Sequence, residues 1–337
     1  MRRFLTKKRI LLAGLGAVLV VLVFVLSILV YFVFGYNPHD RINFVLLGEG
    51  GEGHTGPTLT DSTIFASVGK EGTVLVSVPR DLWYEPWQTK INSLYYYGEE
   101  KGDGLGWNKE IIGEIVGQKI DHAVLIDFTV FQDLVDLVGG VDINVDRTFE
   151  DPHYPIAGLE NDLCGGDPEY KCRYELIRFE AGPLHLNGEQ ALKFVRSRYA
   201  PGEEGTDTAR SARQQKVIIA LKEKLISKNI LLSAEKLKAL KLIFETRIKS
   251  DLSRDDLISL GKILLSSRAR EFESFVINGW QEGGGLVYHP LKHSSGQWVL
   301  LPRDDSWSSI HDFINCLILE ENKSLCSPSK KPESPKT

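Results

Sequence analysis

The chain has 337 residues, 42% of them hydrophobic and 25% charged, the composition of a folded protein with enough length to bury a substantial core. Its formal charge is -5, but Arg2, Arg3, Lys7, Lys8 and Arg9 all fall in the first nine residues, so the remainder stands at -10. A chain that acidic beyond its start is a poor general binder of nucleic acid, and any anion site in it has to be local.

Residues 10–35 form a run of 26 without a single charge. Crossing a bilayer as a helix takes about 20. A secretory signal has a shorter apolar core, about 7–15 residues, and a small-residue cleavage site. Nothing of the A-x-A kind follows Phe34. The length therefore favours an uncleaved, single transmembrane helix over a cleaved signal or a buried soluble helix. The basic segment 1–9 places the N-terminus in the cytoplasm, with the chain from about Tyr36 outside. The four cysteines, Cys164, Cys172, Cys316 and Cys326, all lie beyond the anchor as two local pairs. Three pairings are open to them, with sequential disulfides favoured in an oxidising compartment. Zinc is the rival reading, but no C-x-x-C or histidine pair accompanies them.

Residues 36–270 read as one α/β domain. "NFVLLG", "GTVLVSV" and "HAVLID" are short β-branched-rich runs stopped by Gly, Pro or Asp, as buried strands are. "NKEIIGEIVGQ" and "TVFQDLVDLV" have helical apolar spacing, the second halted at Gly139-Gly140. "VDINVD" alternates as a strand with one wet face. The alternation predicts a central mixed sheet sandwiched between helices, an α/β/α arrangement. From Arg147 to Gly188 the pattern lapses into a long insert carrying the first cysteine pair, the kind of loop that serves as a lid or functional element. Ser253 with Asp256 is a capping-box variant for a helix that follows. "FESFVI", "GLVYHP" and "QWVLLP" predict a small β-containing unit over 271–322, and the Pro-, Ser- and Lys-rich end, 323–337, is expected to be disordered.

The densest chemistry is in "FVRSRYAPGEEGTDTARSARQQKV", Phe194 to Val217. If "FVRSR" is extended, Arg196 and Arg198 share a face, and two adjacent guanidiniums repel unless an anion lies between them. A helix from Asp207 puts Arg210, Gln214, Val217, Leu221 and Leu225 on one stripe. Arginine in a first helical turn opposes the macrodipole, and an oxyanion held by helix N–H groups and arginines together supplies a reason for it. The alternative is exposed pairing with Glu203, Glu204 and Asp207, worth about 0–1 kcal/mol per pair. Arg80 and Asp81 follow a buried strand, where open α/β sheets bind ligands; an ordinary turn pair is equally open. The glycine-rich "LLGEGGEGHTGPTLTDST" lacks the G-K-[ST] of a nucleotide loop but supplies Glu49, Glu52, His54 and Asp61, oxygen ligands suited to Mg²⁺ beside a phosphate. Asp61 as a simple cap is the other reading.

In order, "NFVLLG", "LTDSTIFASV", "VSVPRDLW", "KINSLYYYG", "DLVGGVDINV", "LNGEQALKFVRSR" and "DTARSARQQKV" resemble the LytR–CpsA–Psr (LCP) family of cell-wall glycopolymer ligases. The resemblance implies a membrane-anchored phosphotransferase moving a glycopolymer from a polyprenyl-pyrophosphate carrier to a peptidoglycan hydroxyl, with an apolar pocket for the lipid. Arg80, Arg196, Arg198 and Arg210 are then expected on the pyrophosphate and Asp61, with Glu49, on Mg²⁺. Gln214, Arg213, Asp81 and Lys90 are expected on the substrate. Expected partners are the lipid-linked glycopolymer, peptidoglycan and the membrane, not nucleic acid. The family commonly has aspartate where Gly50 stands and arginine ahead of its "SD" motif, where Leu59-Thr60 stand here. Glu49 or Glu52 then substitutes for the first and His54 for the second. A pyrophosphatase using water as acceptor, and a non-catalytic binder of polymer or lipid, are the alternative functions.

Overall fold

The computed structural model describes residues 41–54, 56–265, 272–278, 285–320 and 322–326. The expected anchor over 10–35 and most of the expected tail lie outside these residues, and among them no helix is long and apolar enough to cross a membrane.

The three runs read as buried strands are strands. β1 is Arg41–Glu49, followed by β2 (Thr60–Gly69), β3 (Gly72–Ser77), a small ribbon of β4 (Trp83–Tyr84) and β5 (Thr89–Lys90), and β6 (His122–Asp127). Then come β7 (Val141–Val145), β8 (Phe149–Pro155), β9 (Tyr174–Phe179), β10 (Gly182–Leu186), β11 (Lys249–Ser250), β12 (Phe272–Val276), β13 (Val287–Tyr288) and β14 (Leu301–Pro302). The main sheet is ordered β11-β6-β1-β2-β3-β12. It is mixed: β1 with β6 and β3 with β12 are parallel, and β2 is antiparallel to both β1 and β3.

Side-chain alternation along these strands divides two cores. Val45, Leu47, Phe65, Val74 and Val76 face the helices Leu94–Glu100, Gly104–Val116 and Ser308–Leu319. Phe44, Ile64, Ala66 and Leu75 face the other way, toward Ile218 of the Asp207–Leu225 helix and Ile263 of the Arg254–Leu265 helix. The result is the expected sheet between helical layers. A third core joins the Phe128–Leu137 and Gly188–Arg196 helices to β7–β10.

Three details differ from the sequence reading. Phe272–Val276, expected in a separate closing unit, is the edge strand of the main sheet, because its apolar residues complete the row beside β3. The glycine-rich stretch that reads as a ligand-bearing loop ends earlier than expected: Thr60 and Asp61 already belong to β2, in which seven consecutive residues from Thr63 are buried. The 147–188 insert is ordered by strands: β8 pairs antiparallel with β9 inside it, and β10 pairs antiparallel with β7, which precedes it. Both sequential disulfides are present, Cys164–Cys172 in that insert and Cys316–Cys326 at the end of the last helix, which ties Cys326 of the expected tail to the fold.

Candidate active site

The strand directions send the carboxyl ends of β6, β1, β3 and β12 to one edge, where antiparallel β2 begins. Ligands of open α/β sheets bind beyond such ends. Glu49 ends β1 and is the register partner of Asp127, which ends β6. Asp61 is near the start of β2, and Arg80 follows β3.

Two cavities meet at this edge. One, of about 290 Å³, lies between the sheet and the helices and is walled by apolar side chains that include Ile64, Ile126, Phe131, Leu192 and Ile218. The other is an open polar cleft of about 1030 Å³ that takes in Arg80, Asp81 and Lys90. Asp61, Ser62, Arg198, Tyr199, Arg210 and Gln214 line both, so they form the boundary between an apolar chamber and a polar one.

Arg210 is the most confined cation there. Thr206 caps its helix by accepting from Ala209 N–H, one residue earlier than Asp207, and Arg210 lies in the first turns with a 7% exposed side chain. It meets Asp207 at 3.1 Å, yet its Nε has no partner. Burial, opposed by Asp207 and reinforced by Arg80 and Arg198, pulls its pKa down to about 10. It therefore stays charged at neutral pH, short of hydrogen-bond acceptors. The buried Nε of Arg80 makes no hydrogen bond but lies 3.5 Å from Asp81 Oδ2. Burial lowers its pKa, but Asp61, Asp81 and Asp207 outweigh that and leave it raised. Its Nη1 donates to Asp61, while Asp81 is also held by Lys90 at 2.7 Å.

"FVRSR" is not a strand. Arg196 closes the Gly188–Arg196 helix, which Asn187 and Gln190 start as a capping box, and the chain turns extended only at Ser197. Arg196 stacks 4.2 Å over Phe128 and donates to Tyr154 Oη, facing the apolar chamber. Arg198 is exposed at the boundary.

What holds Arg198 there was not visible in the sequence. Asp151, wholly buried in the insert, accepts at Oδ2 from Ser197 Oγ (2.8 Å), Arg198 N (3.0 Å) and Tyr199 N (3.1 Å), and at Oδ1 from His153 N. A carboxylate with four donors fixes the backbone that carries the guanidinium. The signal, one acid some 46 residues upstream, is too remote for any local pattern.

The R-x-x-R-Q-Q motif splits between two jobs. Arg210 and Gln214, one helical turn apart, face the cavities. Arg213, expected on the substrate, is buried and spends its guanidinium on the carbonyls of Phe194, Ser197 and Glu204. Its geometry is that of a brace for the 194–204 segment, because it points away from both cavities. Gln215 ties the helix to Ser77 Oγ and Phe275 O.

Glu49 is 8% exposed, lines the apolar chamber and leaves Oε2 without a partner. Burial pushes its pKa up; Lys249 opposes this, and Asp127 and Glu99 add to it. Glu52 is exposed and away from both cavities. At Gly50 a Cβ would stand 3.0 Å from His54 Cβ, so an aspartate at 50 requires His54 to shift by a few tenths of an ångström. Its ring sits edge-on to Phe128 at 5.1 Å, and burial followed by the charge of Arg196 lowers its pKa. Among the described residues, the one convergent group of three possible metal ligands is Asp162, Cys164 and Cys172, whose sulfurs are bonded to each other.

The α/β/α fold thus carries guanidinium groups at the boundary between an apolar cavity and a polar one. The LytR_cpsA_psr family profile matches residues 29–298, and the chain belongs to that family. It is 28% identical over 241 residues to the polyisoprenyl-teichoic acid–peptidoglycan teichoic acid transferase TagU of Enterococcus faecalis, covering 69% of this chain and 68% of that one. The enzyme of the same name from Bacillus licheniformis is 24% identical, covering 76% and 75%. The fold matches the crystal structure of Bacillus subtilis TagV with a TM-score of 0.57 at 21% identity, over 82% of this chain and 96% of that one.

Proposed function

We propose that this chain is a membrane-anchored phosphotransferase that moves a glycopolymer from a polyprenyl-pyrophosphate carrier to a hydroxyl of peptidoglycan. The observation that carries the reading is the shared wall. A lipid pyrophosphate has an apolar tail, a polyanionic centre and a polar glycan, in that order. The apolar chamber, the Arg198–Arg210 boundary and the polar cleft follow one another in the same order. The relatives' transferase names support this assignment.

In this reading the pyrophosphate accepts from Arg210 Nε, Arg80 adds its charge from the cleft, and Arg198 and Gln214 close on it from the boundary. Arg196 sits at the lipid side, its charge shared with Phe128 and Tyr154. The acceptor hydroxyl oxygen forms a bond to the sugar-bearing phosphorus as the bridging P–O bond breaks; polyprenyl phosphate leaves with the electron pair, and the hydroxyl proton passes to the leaving phosphate or to solvent. Charge moves onto the leaving phosphate, where the preorganised arginines stabilise it. The donor set suits Mg²⁺ of the kind that takes one or two carboxylates and completes its shell with substrate oxygens. Asp61, 46% exposed at the boundary, is the ligand best placed for it, and Glu49, with its free Oε2, is the second. Bound there, Mg²⁺ supplies Lewis-acid neutralisation of phosphate oxygens. The anchor over 10–35 and an extracytoplasmic location belong to the same proposal, supported by the two disulfides.

The test is to incubate the full chain with a polyprenyl-pyrophosphate-linked oligosaccharide, Mg²⁺ and peptidoglycan fragments. Transfer to the glycan, lost in Arg198→Ala and Arg210→Ala, is the expected result. Phosphorylated sugar released without an acceptor points instead to a hydrolase, and retention of donor without product to a binder.

A further inference from the structure

The segment after β12, left without a role by the sequence, contributes an aromatic side chain to the cleft. Trp298 is 49% exposed and lines the polar chamber together with Leu300. It is not a loose surface residue. The His289 ring stacks on it at 4.9 Å and 22°, and His289 Nδ1 is in turn fixed to Val299 O at 2.9 Å. The backbone at Leu300 is bolted to the phosphate side of the cleft: its N–H donates to Asp81 O, and its carbonyl accepts from Trp83 N–H, both at 2.9 Å. Asp81 is the residue paired with Lys90 and adjacent to Arg80. The indole thus stands at a set position relative to the proposed pyrophosphate site, backed by imidazole and half exposed where it lines the cleft.

We propose that Trp298 is a stacking platform for a pyranose ring, a glycan subsite of this cleft. The proposal rests on the reading of the site given above and extends it to the sugar. A pyranose offers a face of C–H groups that packs on an aromatic ring, while its rim of hydroxyls needs polar partners. The cleft supplies both, the indole in a wall that also carries Asp81, Lys90, Glu203, Asp207 and Asn278. A fixed aromatic loses little entropy on binding, unlike a mobile side chain. An apolar tail has no call for this surface, because the apolar chamber lies on the other side of the boundary. The ring recognised comes either from the donor glycopolymer or from the acceptor glycan strand.

The experiment uses the full chain in detergent, as wild type, Trp298→Ala and Trp298→Phe. Each is titrated with farnesyl pyrophosphate, with a disaccharide linked to farnesyl pyrophosphate, and with chitotetraose as a neutral glycan strand. Farnesyl pyrophosphate should bind all three alike. A glycan-bearing probe should bind Trp298→Ala about 3- to 10-fold more weakly than wild type, with Trp298→Phe recovering most of the loss. Loss confined to the linked disaccharide assigns the platform to the donor, and loss confined to chitotetraose assigns it to the acceptor. Equal binding of both glycan probes by wild type and Trp298→Ala overturns the proposal. If wild type fails to bind farnesyl pyrophosphate, the pyrophosphate reading falls by itself, and chitotetraose alone then decides the role of Trp298.

Discussion

Replacing Asp151 by asparagine separates positioning of Arg198 from its charge. The carboxylate takes three donors at Oδ2, from Ser197 Oγ, Arg198 N and Tyr199 N, and one at Oδ1, from His153 N. Asparagine keeps one acceptor oxygen and turns the other into an NH₂ group, which faces a backbone N–H. Asp151 is fully buried, so the abandoned donor finds no water. One such loss to a charged acceptor costs about 1.5–3 kcal/mol. At roughly 2–4 °C per kcal/mol for a domain of this size, Tm should fall by about 3–12 °C. Urea denaturation and thermal scans read the stability. Binding of farnesyl pyrophosphate, measured well below the transition, reads the position of the guanidinium. Because small misplacements of charged groups are costly, affinity should fall by at least about tenfold although every arginine remains. A variant that loses stability but binds as wild type does would show that the backbone of Arg198 needs no anchor. An unchanged Tm would refute the hydrogen-bond argument outright.

Arg210→Ala should abolish donor binding while costing little stability, because it removes a buried guanidinium whose Nε is unpartnered; chemical denaturation beside a binding titration checks both. Glu49→Gln should remove a loss of stability that wild type suffers as pH rises above about 4.3. A carboxyl with a raised folded pKa binds more protons when folded, so wild type loses stability as pH rises from about 4.3 toward the folded value. The variant should therefore be the more stable at pH 7 and match wild type near pH 4, as urea titrations across that range would record. Asp61→Asn should weaken the Mg²⁺ dependence of donor binding, seen as a smaller response to chelator in the same titration, and it releases Arg80 from its ion pair.

Much of the scaffold was legible because local pattern and tertiary environment agree. β1, β3 and β6 are apolar runs buried in a sheet, and the Phe128–Leu137 helix starts at a capping aspartate. Where the two disagree, the sequence misleads. Thr60–Ser62 read as ligand-bearing loop because their pairing with β1 is what makes them strand. Arg196 and Arg198 read as one extended face, yet the capping box at Asn187 carries a helix through Arg196. The arginine cluster itself was visible as charge density in an acidic chain. Its internal division was not: Arg213 and Arg210 are three residues apart in one motif, and only the packing of Phe194, Ser197 and Glu204 assigns the first to bracing. Asp151 and Trp298 act across long sequence separations and leave no local trace.

The most direct measurement is a crystal structure of the chain with a prenyl pyrophosphate bound. The two phosphates should lie against Arg198, Arg210 and Arg80, with the prenyl chain running past Phe131 and Leu192. Phosphates bound elsewhere on the protein, or a tail lying in the polar cleft with the chamber beside Ile64 left empty, would contradict the account.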